Sequence, residues 1–482
     1  MRYLELALYI LMIFVVIYSW VMSSSKKKSK WAKIWFVVAA ALLIAHGWFE
    51  GFRWQMTFVY GVVCVGMIVF IIQDIILKHK LRSNETPSTM VKVLRNLCFI
   101  VSFLLMILTG ILLWLFPVNH IPVPTGPYDI GTVTYELTDT KRSEIYGDQP
   151  GEPRKIRFQV WYPADNIDGG ELTKWMTDGK VVASGVPNMY GLPLFALDHT
   201  GLIDSNSYSG VPISDSETNY PVVIISHGWT GFMNLHTDIA EMLASHGYIV
   251  VSINHTYGAA VSVFDDGSVV YADLDALPDR DAVDNFDDYS HALVNTYALD
   301  DQLVLDYLEN YPIDTGVLED RMDMNRIGLL GHSTGGGGVV QTAIGDDRVK
   351  AVFGLDAWVE PVDESILSIG LSVPSLFMRS EQWVVGPNNQ YLKTLVDVSG
   401  VTPMVYQIEG CNHLDLTMLY MYNPITRLFG FSGELDNLEN ASIQRDYILT
   451  FFDEMLLGED VDASELVETY DAVEIVKDYE VD

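Results

Sequence analysis

A serine enclosed by glycines, between a buried strand and a helix, constrains the fold of this chain more than any other segment. The apolar run Arg326 to Leu330 predicts a short buried strand, and Gly331-His332-Ser333-Thr334-Gly335 follows it directly. Three further glycines and the run Val339 to Ala343 predict that a helix begins there. A strand that turns sharply into a helix lifts the serine hydroxyl clear of the sheet, and a side chain at the flanking glycines would strike a neighbouring element. Ser333 is therefore predicted to be a nucleophile, with a glycine-rich turn of no catalytic role as the alternative.

The loop after an earlier strand is predicted to bind an oxyanion. Pro221 to Ser226 is an apolar run that predicts a buried strand, and His227-Gly228-Trp229-Thr230-Gly231 follows it. In α/β-hydrolases a loop at this place gives one backbone N–H of the oxyanion hole, and the residue after the serine gives the other. We therefore expect the backbone N–H groups of Trp229 and Thr334 to hold the negative oxygen that forms during acyl transfer.

An acid and a base follow the serine in the chain order that this fold uses. Lys350 to Leu355 predicts a strand, and Asp356 stands at its C-terminal end. Met404 to Ile408 predicts a later strand, and His413 lies on the loop beyond it. Serine, then acid, then histidine is the order of the catalytic residues in α/β-hydrolases. Ser333, Asp356 and His413 are therefore predicted to form a catalytic triad.

A second carboxylate competes with Asp356 for the role of the acid. Glu381 follows the next strand, where many hydrolases carry their acid. The segment Gly354-Leu355-Asp356-Ala357-Trp358, however, resembles the acid segment of the plasma-type (group II) platelet-activating factor acetylhydrolase family. Ser226-His227-Gly228 is similar to the oxyanion segment of that family. Phe377 to Glu381 also matches a family segment in which the glutamate is not the triad acid, so the resemblance favours Asp356.

The resemblance covers about residues 125 to 460 and implies an ester hydrolase that needs no cofactor. It implies a short-acyl phospholipid or a similar lipid ester as the substrate. The turn at the serine differs, because Thr334 and four glycines stand where the family tends to have an aromatic residue after the serine. Gly331 to Gly338 is equally similar to the turn of polyester hydrolases and cutinases, which leaves the acyl substrate open. The N-terminal quarter resembles nothing in the secreted family members.

Residues 1–117 are predicted to form a membrane domain with four spanning helices. The apolar runs are of about spanning length, the second one short, and they are apolar all round, whereas helices of a soluble core carry an apolar stripe. The first run is too long for a cleaved signal peptide, and lysines follow it rather than precede it. The four runs extend from Tyr3 to Met22, from Ile34 to Trp48, from Met56 to Leu77 and from Cys98 to Phe116.

Basic residues in two loops predict the orientation of these spans. Five lysines lie between the first and second runs, and five basic residues lie between the third and fourth, whereas the middle loop has only Glu50 and Arg53. Loops rich in Lys and Arg stay in the cytoplasm. The N-terminus and everything after Phe116 are therefore predicted to lie outside the cell membrane. The ten residues are Lys26, Lys27, Lys28, Lys30, Lys33, Lys78, Lys80, Arg82, Lys92 and Arg95.

The charge of the chain is divided unevenly between its two parts. The first 116 residues hold 12 Lys and Arg against 4 Asp and Glu, a net charge of +8. Because the whole chain has a net charge of −34, the remaining residues have a net charge of −42. A strongly acidic outer part argues against nucleic acid as a partner. The chain has three cysteines and therefore no disulfide framework, so the outside location rests on loop charge alone.

Residues 118–460 are predicted to form one α/β-hydrolase domain with a mostly parallel sheet, because strand patterns alternate along them with helical patterns, which include Met233 to Ser245 and His291 to Glu309. Residues 163–215 show no clear period and are interpreted as an insertion over the active site, either a lid or a surface excursion. Residues 461–482 are interpreted as an acidic tail, either a surface strand or a mobile segment. Apolar side chains of the insertion are predicted to be available to a lipid surface, namely Trp175, Met176, Met189, Tyr190, Leu192 and Phe195.

No metal site is predicted. Asp265 to Asp288 holds nine aspartates but lacks the spacing of a calcium-binding loop, so it is interpreted as a solvated loop. His246, His255 and His332 have no ligand-like spacing to other His or Cys residues.

These features together predict a membrane-anchored serine esterase that acts on a lipid or other small ester. A polyester hydrolase, a general esterase, a peptidase and a thioesterase are alternatives on the same fold. A hydrolase fold that has lost catalysis and serves as the binding module of a membrane sensor or transporter is an alternative from another class. The sequence leaves the oligomeric state open.

Overall fold

The computed structural model describes residues 2–21, 26–79, 89–148, 150–310, 316–318, 320–384, 386–477 and 479. Lys80 and Arg82 of the predicted basic loop, and the last three residues of the predicted tail, lie outside these described residues. The chain divides into two units, Met1–Asn119 and His120–Asp482.

The N-terminal unit consists of helices, because long apolar runs satisfy their backbone hydrogen bonds internally as helices. By length and composition, three described helical segments are long and apolar enough to cross a membrane: Tyr3–Val21, Trp31–Phe49 and Lys92–Leu115. The described residues also include a shorter apolar helix, Trp54–Val69, where the third run is predicted. The helices are α1 (Tyr3–Val21), α2 (Lys26–Phe49), α3 (Thr57–His79) and α4 (Thr89–Leu115).

A buried ion pair lies at one end of this unit. The guanidinium of Arg53 donates to both carboxylate oxygens of Glu5 at 2.6 and 2.8 Å. It also donates to the carbonyl oxygen of Phe116 at 2.8 Å. The carboxylate of Glu50 accepts from the backbone N–H groups of Leu4 and Glu5 at 2.8 Å, so it caps the start of α1. These bonds connect the first residues of α1 with the ends of α2 and α4.

The C-terminal unit is built on a sheet of eleven strands. Their order is β13-β12-β11-β10-β9-β5-β6-β2-β1-β4-β3, and the central strands from β6 to β12 pair in parallel. The described residues also include a separate two-stranded ribbon, β7-β8. The strands are β1 (Asp129–Ser143), β2 (Pro153–Ala164), β3 (Glu171–Lys174), β4 (Asp204–Ser209), β5 (Tyr220–Ser226), β6 (Ile249–Asn254), β7 (Val261–Val263), β8 (Val269–Tyr271), β9 (Met322–His332), β10 (Val349–Leu355), β11 (Ser375–Ser380), β12 (Met404–Ile408) and β13 (Val473–Ile475).

Core side chains cover both faces of this sheet. On β5, Val222 and Ile224 belong to one buried cluster, and Val223 and Ile225 belong to the other. A strand that is buried on both faces has a continuous run of apolar residues, so the sequence of β5 predicts a buried strand. The carboxyl ends of β5, β9, β10 and β12 therefore bring the predicted catalytic loops to one edge of the sheet.

Helices complete the C-terminal unit, and two of them begin elsewhere than the sequence pattern predicts. The helix predicted from Met233 begins at Thr237, because the residues before it form separate turns, in which the backbone N–H of Leu235 donates to the backbone oxygen of Phe232 at 2.9 Å. The helix predicted from His291 begins at Phe286, since Asp287 and Asp288 suit the positive end of the helix dipole. The helices are α5 (Gly179–Ala183), α6 (Gly185–Met189), α7 (Thr237–Ser245), α8 (Phe286–Glu309), α9 (Thr334–Gly345), α10 (Glu364–Leu367), α11 (Asn388–Val398) and α12 (Asn437–Phe452).

Residues 163–215 are partly built into the sheet. Strands β3 and β4 pair with each other, and β4 adds to the edge of the sheet beside β1. Trp175 and Met176, which were expected at the surface, are buried, and the indole N–H of Trp175 donates to the backbone oxygen of Asn234 at 2.7 Å. Besides Leu172 and Val181, the exposed large apolar side chains of this segment lie in one short stretch, namely Tyr190, Leu192, Leu194 and Phe195.

Candidate active site

The predicted strand, turn and helix around Ser333 are present. β9 ends at His332, α9 begins at Thr334, and Ser333 between them has φ 53° and ψ −119°. This positive φ is strained for a residue with a side chain, as expected of a nucleophile turn. A methyl group added at Gly331 would overlap the carbonyl oxygen of Gly335, and one at Gly335 would overlap that of Ser226. Glycine is therefore required at both positions if the turn is to pack against the end of β5.

Asp356 and His413 meet at the same edge of the sheet. Nδ1 of His413 lies 2.8 Å from Oδ2 of Asp356. The Asp356 carboxylate is buried and also accepts from the backbone N–H and the hydroxyl of Ser380, each at 2.6 Å. Because a carboxylate accepts hydrogen bonds, Nδ1 of His413 carries the proton and Nε2 is left as the basic nitrogen. This is the arrangement that a general base needs.

Glu381 does not contact the imidazole of His413. Its Oε2 accepts from the backbone N–H of Gly410 at 2.8 Å, three residues before the histidine. The neighbouring Gln382 side chain accepts from the backbone N–H of His413 at 3.0 Å. The loop after β11 thus holds the histidine loop, whereas the carboxylate that orients the imidazole comes from the end of β10.

Two further rings hold the imidazole of His413. The Trp383 ring stacks on it with centroids 4.2 Å apart and an angle of 9° between the planes. The His332 ring stacks on it at 4.6 Å and 28°, and Nε2 of His332 lies 3.2 Å from the backbone oxygen of His413. Sequence reasoning missed Ser380, Trp383 and His332 in these roles. Ser380 and His332 lie within segments already singled out, and Trp383 lies two residues beyond one of them, but their contacts depend on how three loops meet.

The two predicted oxyanion donors flank the serine. Among the described residues, none accepts a hydrogen bond from the backbone N–H of Trp229 or of Thr334. A methyl group added at Gly228 would lie 3.0 Å from Cβ of Ser333, so the loop after β5 touches the serine turn. Both N–H groups are therefore available to a ligand, and their role as oxyanion donors stays a prediction. Where the chain is described, no group of three or more His, Cys, Asp or Glu side chains is placed to hold a metal ion.

Aromatic side chains lie on the other side of the serine turn. The backbone N–H of Trp358 donates to the backbone oxygen of Ser333 at 2.9 Å, and its indole N–H donates to Glu360 at 3.2 Å. Arg280 donates to both oxygens of Glu360 at 2.9 Å, and its guanidinium lies over the ring of Phe286. The acidic segment 265–288, interpreted from sequence as a solvated loop, therefore packs through Arg280 and Phe286 against the residues that follow Asp356.

The fold and these residues define an α/β-hydrolase. A sequence model of the family "Platelet-activating factor acetylhydrolase, isoform II" matches residues 115–268 and 302–472, which together are more than half of the chain. The chain belongs to this family, and the resemblance found in the sequence is confirmed. The matched residues begin at 115, so nearly all of the N-terminal unit lies outside the match.

Known relatives are esterases. The platelet-activating factor acetylhydrolase of Canis lupus familiaris is 27% identical over 347 residues, which are 66% of this chain and 73% of that protein. Cutinase 1 of Thermobifida cellulosilytica is 23% identical over 196 residues, 40% of this chain and 60% of that protein. The solved ferulic acid esterase from Streptomyces cinnamoneus has the same fold, with a TM-score of 0.59 and 22% sequence identity. The match covers 75% of this chain and 100% of the esterase chain. The chain is a carboxylic ester hydrolase, of the serine type by family.

Proposed function

We propose that this chain is a membrane-anchored serine esterase that hydrolyses a lipid ester or a short-acyl phospholipid ester. The observation that carries the proposal is the 2.8 Å contact between Nδ1 of His413 and Oδ2 of Asp356, at the same sheet edge as the strained turn of Ser333. In this arrangement Ser333 is the nucleophile, His413 the base and Asp356 the acid that orients it.

The reaction then follows in two halves. Nε2 of His413 takes the proton of the Ser333 hydroxyl while Oγ attacks the ester carbonyl, and the carbonyl oxygen becomes an oxyanion. The backbone N–H groups of Trp229 and Thr334 donate to that oxyanion. His413 returns the proton to the departing alcohol, which leaves an acyl group on Ser333. A water molecule, activated by the same histidine, hydrolyses this acyl-enzyme and restores the serine.

Two features support a substrate in a lipid surface. The apolar helices of the N-terminal unit are of membrane-spanning length. The stretch from Tyr190 to Phe195 exposes four large apolar side chains, more than a loop surrounded by water alone requires. A membrane anchor confines the enzyme to the surface that holds its substrate and so raises the effective concentration of both. With the positive charges of the first and third loops in the cytoplasm, the catalytic unit acts outside the cell.

Replacing Ser333 by alanine tests the proposal. The full-length Ser333→Ala chain should lose turnover of p-nitrophenyl acetate by at least about 1,000-fold, since acyl transfer has no nucleophile. Ser368→Ala, which removes an exposed hydroxyl at the end of α10, is the matched control and should keep full activity. Residual turnover in Ser333→Ala comparable with that of the control would mean that the esterase activity uses another residue. An inactive natural chain would instead favour a binding module.

The cutinase relatives support a second candidate, a polyester hydrolase. Thr334 and the four glycines after it are the observation that favours it, because they differ from the serine turn expected of the acetylhydrolase family. Hydrolysis rates on esters of increasing chain length, with and without a phosphocholine head, and on polyester film would separate the two. A preference for film over all phospholipids would reject the lipid ester.

A further inference from the structure

A buried histidine lies behind the loop that carries the first oxyanion donor. His227 is fully buried, and its Nδ1 lies 2.7 Å from the carbonyl oxygen of Gly228. The same oxygen accepts from the backbone N–H of Gly231 at 2.9 Å. Two donors therefore fix the direction of this single carbonyl group. The proposed mechanism makes no direct use of His227.

The direction of that carbonyl determines the direction of the oxyanion donor. The carbonyl of Gly228 and the N–H of Trp229 belong to one peptide group, which is planar and trans. The two bonds consequently point to opposite sides of the peptide. When His227 and Gly231 hold the carbonyl oxygen toward the interior, the N–H of Trp229 is held toward the side where Ser333 lies.

The tautomer of His227 is also fixed. The backbone N–H of His255 donates to Nε2 of His227 at 3.2 Å, so Nε2 carries no proton. Nδ1 therefore carries the proton that it donates to Gly228. Burial lowers the pKa of His227 well below its ordinary value, and the nearby His255 adds to this, so the ring stays neutral with one proton.

His255 is itself held by a chain of buried polar groups. Its Nδ1 lies 3.0 Å from Oδ2 of Asp300, and its Nε2 lies 3.0 Å from Oγ of Ser226. Arg154 donates to both oxygens of Asp300 at 3.0 and 2.6 Å. The Tyr297 ring stacks on His255 with centroids 3.8 Å apart. The backbone N–H that reaches His227 is therefore rigidly placed.

Ser226, His255 and Asp300 have the connectivity of a second catalytic triad, but they are not a second active site. All three are fully buried, so no ester can approach the hydroxyl of Ser226. That hydroxyl also lies 2.5 Å from Oδ1 of Asp301, which is buried as well. The group serves as support rather than as a nucleophile.

We propose that His227 is the positioning residue of the oxyanion hole, and that its Nδ1–H bond to Gly228 sets the orientation of the Trp229 N–H. This inference rests on the proposed function, because it assigns a support to a donor that the mechanism uses. It predicts that a side chain without a donor at residue 227 allows the peptide to turn, which weakens binding of the transition state more than binding of the ester.

Two variants of His227 in the full-length chain test the inference. Leucine at 227 removes the donor, and asparagine keeps an N–H near the place of Nδ1. His227→Leu should lower kcat by about 100- to 1,000-fold with KM changed little, as expected for the loss of one oxyanion donor. His227→Asn should recover at least roughly tenfold of that loss, because its amide again donates to Gly228.

The amount of folded enzyme is measured separately by counting active sites with a fluorophosphonate. A purely structural role would lower the number of sites that react, whereas positioning lowers kcat per reacting site. Unchanged kcat per site in His227→Leu, or equal losses in both variants, would overturn the inference. Ser333→Ala separates a failure of the proposed function from a failure of the inference about His227. If Ser333→Ala keeps activity, the proposed function fails. If Ser333→Ala is inactive while His227→Leu is fully active, only the inference fails.

Discussion

Two adjacent aspartates of α8 have opposite protonation behaviour. Burial alone would raise the pKa of both carboxyl groups, but the ion pair with Arg154 holds the pKa of Asp300 well below its usual range. Asp301 faces Ser226 instead, and burial raises its pKa well above the ordinary value of 3.8. Asp301 therefore holds its proton to a higher pH than an exposed aspartate does. When it is protonated, its O–H can donate to Ser226, whose hydroxyl can then donate to Nε2 of His255.

Replacing each aspartate by asparagine should therefore have different effects on stability. Asp300→Asn should lower the free energy of unfolding by about 3 kcal/mol, because the buried Arg154 loses one of its two carboxylate partners and keeps Glu144 and the backbone oxygen of Thr256. Asp301→Asn should cost little, since an amide N–H replaces the carboxyl O–H. Urea unfolding of the full-length chain in detergent, monitored by tryptophan fluorescence, measures both. Equal losses would contradict a protonated Asp301.

The pH dependence of stability provides a check on the same residue. The folded chain binds a proton at Asp301 that the unfolded chain releases above pH 3.8, so this group stabilises the fold fully below that pH. Its contribution decreases as the pH rises toward the folded pKa. Between pH 4 and neutral pH, the free energy of unfolding of the Asp301→Asn variant should therefore fall less than that of the natural chain. The control Ser368→Ala should show the same fall as the natural chain. An unchanged slope in Asp301→Asn would show that the carboxyl is ionised in the folded chain.

The choice between the two candidate acids is also a question of single residues. Asp356→Asn should lower kcat by about 10⁴-fold, because the tautomer and the orientation of His413 are lost. Glu381→Gln should cost about tenfold or less, because an amide oxygen still accepts from the N–H of Gly410. Steady-state kinetics on p-nitrophenyl acetate compares them. Loss of activity in Glu381→Gln alone would assign the acid to the other loop.

The triad could be predicted from the sequence because Ser333 and Asp356 directly follow strands and His413 lies on the loop after a strand, and strand ends are local features. Its catalytic role stays a prediction. Sequence reasoning did not reach Ser380, Trp383 or the supporting role of His227. Their roles depend on contacts between loops that are 24 to 30 residues apart in the sequence. His255 was noticed only as a histidine with no ligand-like spacing, because its partners Ser226 and Asp300 are distant in the chain.

At the scale of elements, the predicted parallel strands of the main sheet are present, and the edge strands are the exception. β3 and β4 have the sequences ELTK and DSNSYS, which lack the apolar alternation that marks a strand. They form because the sheet edge beside β1 offers unpaired backbone groups. β13 extends the opposite edge by antiparallel pairing with β12, within the segment interpreted as an acidic tail. Whether the rest of residues 163–215 acts as a lid stays a prediction.

The exposed stretch between α6 and β4 should be needed for lipid but not for soluble substrates. Leu192 and Phe195 are 52% and 51% exposed. Replacing both by aspartate should lower hydrolysis of a short-acyl phospholipid in vesicles by about tenfold or more, because charged side chains cannot enter the interface. Hydrolysis of p-nitrophenyl acetate should stay unchanged. Ile369→Asp with Val401→Asp, which adds the same charge at two other exposed apolar residues, is the control. Equal loss in both pairs, or loss on both substrates, would reject a lipid-binding role.

At the scale of the whole molecule, the opposite charges of the two parts predict the topology. A protease-sensitive tag after residue 482 should be cleaved on intact cells, and the same tag inserted between residues 23 and 30 should be protected until the membrane is opened. The physical reason is that basic loops are retained in the cytoplasm during insertion. The reverse pattern would place the catalytic unit inside the cell.

The dependence of the oxyanion hole on His227 has a consequence for how this enzyme can diversify. Both proposed donors are main-chain groups, so no single codon change at 229 or 334, other than to proline, deletes them. These two positions are therefore open to variation in the shape and polarity of the acyl pocket. The choice of residue is instead restricted at position 227, which does not contact the ester. In a library that randomises the three positions, surviving clones should vary widely at 229 and 334 and should keep a hydrogen-bond donor at 227.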